Sequence, residues 1–125
     1  MLLDLNKERE LLNRSALNVW DQAVKEIDQV AKELHLTKAE KEAYLVKTMA
    51  DIRYRDMQLT NSFFANNNDP QYMEIVKQNR ADLYRMADVI NKIDTSRVLA
   101  NREDEINARI ENMHRQANNT KENNK

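Results

Sequence analysis

The chain has no glycine in 125 residues and a single proline, Pro70. Glycine supplies the positive φ that hairpin turns, β-bulges, phosphate loops and dinucleotide-binding turns require. A chain without it is poorly suited to sheets, P-loops or Rossmann turns. What remains is an all-α fold of three to four long antiparallel amphipathic helices joined by short polar turns, with no sheet.

At this length one domain is expected, with a modest core. Lys and Arg number 20 against 21 Asp and Glu, interleaved along the chain as on solvated helix faces. A nucleic-acid binder would be expected to show a basic stripe, and none is visible. The absence of Cys excludes disulfides and thiolate metal sites and leaves the redox compartment open. No apolar run approaches the ~20 residues needed to cross a bilayer, so no membrane insertion is expected. The start, Met1-Leu2-Leu3-Asp4, meets charge at Asp4, Lys7 and Glu8 before a hydrophobic stretch forms and does not read as a signal peptide. A cytoplasmic location is the expectation, although a mature secreted form that had lost a leader would look the same.

Hydrophobic periodicity divides the chain into a helical domain over 1–117 and a polar tail over 118–125, expected to be disordered. The first helix is predicted over about 4–34. Its stripe, from Leu5 and Leu12 through Trp20 and Ile27 to Leu34, occupies a sector of ~120°. Arg9 and Asn13 fall in the same sector and imply a wetter seam or a different partner there. A mid-stripe Trp20 reads as core rather than as a ligand platform. Thr37-Lys38-Ala39-Glu40 reads as a capping box that opens a second helix over 38–64, folded back on the first.

That second helix carries one stripe of Leu45, Met49, Ile52, Leu59 and Phe63, with Asp56 in line, and another of Val46, Ala50, Met57 and Phe64. Two apolar faces imply two neighbours. Asp56 is expected to pair with Arg53, Arg55 or an Arg of another helix rather than to serve a reaction. Asn66-Asn67-Asn68-Asp69-Pro70 is the clearest break, with Asp69 capping a third helix over 70–93. Asn79 interrupts the heptad of that helix and is expected at an edge reaching water. Beyond Ile93 the stripe shifts by one residue, ~100° around the helix. A kink or short turn at Asp94-Thr95-Ser96 and a fourth helix over 96–117 follow.

Candidate chemistry is sparse. Glu111-x-x-His114 has the spacing of a di-iron ligand pair, but the second copy is missing because Lys32 precedes His35 at the matching offset. A solvated pair is the better reading, and no metal or other cofactor is expected. There is no Gly-x-Ser-x-Gly elbow, no Cys, and no Ser or Asp partner recognisable for either His. Arg53, Tyr54 and Arg55 could meet phosphate, but Asp51 and Asp56 flank them and a solvated face explains them better. No catalytic residue, cofactor site or small-molecule substrate is therefore expected.

These readings imply a non-enzymatic helical interaction protein: an adaptor, chaperone or structural assembly subunit with protein partners, itself among them. The alternative is a nucleic-acid-associated accessory protein binding as a dimer, which the balanced charge disfavours. The surface expected to self-associate is Leu99, Ile106, Ile110 and Met113, on the assumption that the last helix projects past its neighbours. That stripe is too apolar to leave in water.

Overall fold

The computed structural model describes residues 2–123, with side chains through residue 118. Every regular element among them is helical. The five helices are α1 (Leu5–Glu10), α2 (Arg14–Glu33), α3 (Lys38–Phe64), α4 (Pro70–Thr95) and α5 (Glu103–Asn123). No helix among the described residues is long and apolar enough to cross a membrane.

The first correction to the sequence reading is at the N-terminus, where one helix over 4–34 is replaced by two. Asp4 caps α1, accepting from the Lys7 amide at 3.2 Å, and α1 ends after six residues. Asn13 then takes an extended conformation (ψ 171°) and its Oδ1 accepts from the Ala16 amide at 2.9 Å, starting α2 afresh. A side-chain acceptor at this position satisfies a first-turn N–H that has no partner within the helix. The chain reverses here. Leu2 lines a cleft with Ala43, Val46 and Ile93, while Glu8 bonds Arg53 of α3 and Arg85 of α4. α1 therefore runs parallel to α3, lying across α3 and α4, and Arg9 ties it to Asp21 of α2 at 3.2 Å.

The α2–α3 connection uses the predicted capping box: the Thr37 hydroxyl accepts from the Glu40 amide at 3.1 Å, and the Glu40 carboxylate accepts from the Thr37 amide at 2.8 Å. Lys41 pairs with Asp28 and Asn13 with Asp56, so residue numbers fall on α2 as they rise on α3. Asn67 accepts from the Asp69 amide at 2.9 Å, and Asp69 in turn caps α4, with Pro70 in its first turn. α4 packs antiparallel on α3, as the Arg53–Asp82 and Asn61–Asn79 contacts show.

Two non-glycine residues do what glycine normally does. His35 (φ 53°) ends α2 in the left-handed region, with the Leu36 amide donating to the Ala31 carbonyl at 3.0 Å. This is the 6→1 bond of a Schellman stop. Arg97 (φ 65°) is also left-handed just past α4, where the Val98 amide donates to the Ser96 hydroxyl instead. α4 therefore stops, the chain turns over 97–102, and α5 folds back beside α2. Lys47 holds both sides of this turn by binding Asp94 and Glu103. Burial opposes charge on that amine, but the hydrogen bonds to Asp94 and Glu103 outweigh it and raise its pKa above the ordinary value. Arg102 donates to the Leu34 carbonyl at the C-terminal end of α2, where the helix dipole favours a cation.

Trp20 lies in the core, as expected, together with Ile27, Val30, Met49, Ala50, Met86 and Ile106. Asn79, expected at an edge reaching water, is half-buried and donates to Asn61 Oδ1 at 3.0 Å, a polar pair across the α3–α4 seam. α5 runs to Asn123, into the segment expected to be a disordered tail, and residues 124 and 125 lie outside those described.

Candidate functional site

An open groove lies between α2 and α3, with α5 seated at one end. It encloses about 760 Å³. Val19 and Ala23 of α2 and Ile52 and Leu59 of α3 form its apolar floor, and Ile110 and His114 of α5 close one end. At the other end the groove runs off past Asn13, where α2 begins. Val19 is 56% exposed, Leu59 71% and Phe63 82%.

The reversal at Asn13 explains this exposure. Leu59 and Phe63 continue the α3 stripe that faces α2. In the register fixed by Lys41–Asp28 and Asn13–Asp56, they would face positions 10 and 6 of a straight N-terminal helix. Those positions are in α1, which has turned away to lie across α3 and α4. Leu59 and Phe63 are left exposed as a result.

The groove's borders are acidic. Glu26, Asp51 and Asp56 line it, with Arg55 and His114 as the basic groups. Both basic groups are already engaged, Arg55 with Asp51 at 3.3 Å and His114 with Glu26 at 2.6 Å. Asp56 corrects a further expectation, since its bonded partner is the Asn13 amide rather than an arginine. Arg53, three residues before it on the same helix, is instead buried and paired with Glu8 and Asp82. The Arg53, Tyr54 and Arg55 cluster is thereby dispersed, because Arg53 points into the core and Arg55 into solvent.

α5 shows how a helix sits here. Ile106 is buried, and Ile110 and Met113 pack against the core. On the borders of that stripe, Arg109 pairs with Glu33 and His114 with Glu26, both carboxylates of α2. The hydrogen bond from Arg109 holds the Glu33 carboxyl below its ordinary pKa. Tyr44 donates to Asn107, and burial, with the Glu103 carboxylate adding to it, raises the tyrosine pKa.

The surface expected to self-associate is therefore placed elsewhere. Leu99 is 3% exposed and Ile106 0%, both inside the core of their own chain. Ile110 and Met113 are half-buried beside it. The projecting helix behind that expectation does not occur, because Arg97 supplies the stop that no Gly or Pro announces. Glu111 and His114 have separate partners, Arg115 and Glu26. Among the described residues no group of three His, Asp or Glu side chains is placed to hold a metal. Sequence reading assigned Leu59 and Phe63 to the core and did not single out Val19. The only signals pointing the other way were Arg9 and Asn13 in the first stripe.

No family model matches this chain, and no characterised protein or solved structure is significantly similar to it.

Proposed function

We propose that this chain is a non-enzymatic helical interaction protein, of the adaptor, chaperone or assembly-subunit kind, that works through the α2–α3 groove. The observation that carries the reading is the exposure of Val19 and Leu59 in the groove that α5 closes at one end, with Phe63 exposed one turn beyond Leu59. Large apolar side chains exposed singly are ordinary, but several grouped in and beside one groove, rimmed by polar groups, mark a contact surface. Helix-in-groove recognition is the mode that such a surface supports. Self-association through Leu99 and Ile106 is not part of the proposal, since reaching them would require α5 to leave the fold.

Site-specific photo-crosslinking in the cells that make the protein tests the reading. A benzophenone side chain at Leu59 should give discrete protein adducts, and one at Tyr84 should give none. Tyr84 is 79% exposed on α4 and serves as the control. Equal labelling from both positions, or none from Leu59, would remove the groove as the working surface.

A further inference from the structure

Resting on that reading, we infer that the groove's occupant is an amphipathic helix of about four turns, apolar along one stripe and basic along its borders. The length follows from the uncovered part of α3. From Thr48, one turn past the Tyr44–Asn107 contact with α5, to Phe63 the helix rises ~22 Å at 1.5 Å per residue. A segment of about fifteen residues matches that span.

The chemistry follows from α5, the one helix already in this groove. Its Ile106, Ile110 and Met113 pack in or against the core, and its Arg109 and His114 pair with carboxylates on α2. In the uncovered half the α2 side is neutral, lined by Asn13, Ser15, Asn18 and Gln22, and the carboxylates stand on α3. Ile52, Leu59 and Val19 continue the floor, and α3 adds Asp51, which Arg55 already pairs, and Asp56. No basic side chain among the described residues bonds to Asp56, whose partner is the neutral Asn13 amide. An arriving Lys or Arg would find there a carboxylate with no cation on it, and complementary charge at a rim sets partner choice more than affinity. A second copy of this chain is the poorer fit. Two such grooves face to face would oppose Asp51 and Asp56 with their own copies, and like charges across an interface count against it.

Two synthetic fifteen-residue helices with the same leucine stripe test the inference, one bordered by lysine and one by glutamate. Each carries a fluorescein and is titrated with the full chain by fluorescence anisotropy. The lysine peptide should bind about tenfold or more tightly than the glutamate peptide, and added salt should narrow the gap. Asp51→Asn with Asp56→Asn should bring the two peptides to near parity. Leu59→Ser with Phe63→Ser should abolish binding of both. These two side chains are exposed, so the melting curve of that variant should match the parent's and show that the fold is intact.

Equal binding of the two peptides would overturn the basic partner and leave the groove standing. Lysine-peptide binding that survives Leu59→Ser with Phe63→Ser would place the contact elsewhere and overturn the inference. If neither peptide binds while Leu59 still gives crosslinks in cells, the partner's chemistry is wrong and the groove is not. A dimer in sedimentation equilibrium that Leu59→Ser dissolves would make a second copy the occupant, and would equally overturn the inference.

Discussion

Arg53 donates its Nε to Glu8 Oε2 at 3.0 Å with both residues 5% exposed or less, so α1 is fastened to the core by a buried ion pair. The pair is not isolated. Arg53 Nη2 reaches Asp82 at 3.2 Å, and Arg85 reaches Glu8 at 2.8 Å and Asp82 at 3.4 Å, closing a ring of alternating charge across three helices. Such a ring selects one placement of α1 over others, because any other placement strands a desolvated charge.

Removing one member should therefore cost more than the ring is worth. Arg53→Met should destabilise by about 3 kcal/mol, since Glu8 loses its most buried partner. Glu8→Leu together with Arg53→Met should recover half of that loss or more, because an apolar pair carries no desolvation penalty. Urea denaturation of the double-mutant cycle measures the coupling. Additive losses would show that the two side chains do not act together.

The left-handed residues lead to a second prediction. A non-glycine residue in this region costs ~1–2 kcal/mol. His35→Gly and Arg97→Gly should each raise stability by about 0.5–1 kcal/mol, the backbone relief being offset in part by the greater freedom of glycine in the unfolded chain. Neither side chain is buried, so little packing is lost. Thermal melts of the two variants check this, and a fall in Tm at position 97 would mean that the Arg97 side chain stabilises the turn by more than its backbone strain costs.

A third prediction separates core from surface among residues the sequence pattern treats alike. Ile106→Asp should destabilise by roughly 4 kcal/mol or more, because it places an unpaired carboxylate at a fully buried position. Leu59→Asp, at an exposed position of an equally apolar stripe, should change stability by less than ~0.5 kcal/mol. Chemical denaturation with sedimentation run in parallel decides it. A stable Ile106→Asp protein that merely loses an oligomer would restore the projecting α5 that the structure replaces.

Which parts of this fold were legible follows from how each was encoded. The α2–α3 hairpin is local: Thr37 and Glu40 stand three residues apart and satisfy each other's backbone neighbours, so the sequence alone predicts the turn. Asp69-Pro70 is equally local. The stop at Arg97 is not, because its cause is a backbone conformation that arginine does not advertise, held by Arg102, Lys47 and Glu103 from other segments. The break at Asn13 lies between. Arg9 and Asn13 sat in the apolar stripe as a visible anomaly, but period alone treats an interruption and a reversal alike. The groove could not be read for the same reason. Leu59 and Phe63 have a sound core pattern, and only the departure of α1 leaves them in solvent.

The last prediction concerns Asn13, which does two things at once. Its Oδ1 caps α2 through the Ala16 amide, and its Nδ2 donates to Asp56 on α3. Asn13→Ala should therefore lose both and cost about 1–2 kcal/mol. Asn13→Ser keeps a capping oxygen but not the reach to Asp56, and should recover most of the cap alone. Asn13→Asp is more informative, because a carboxylate caps as well as an amide but cannot donate. It would set two carboxylates against each other across the α2–α3 seam, so that variant should be less stable than the parent at neutral pH and regain stability on acidification. Exchanging the pair, Asn13→Asp with Asp56→Asn, returns a donor to α3 and puts the negative charge at the N-terminus of α2, where the helix dipole favours it by about 0.3–1 kcal/mol. The exchanged protein should be at least as stable as the parent. Denaturation curves of the parent and the four variants at pH 7 and pH 4 test the assignment. An exchanged variant no better than Asn13→Asp alone would show that the two side chains do not meet in solution.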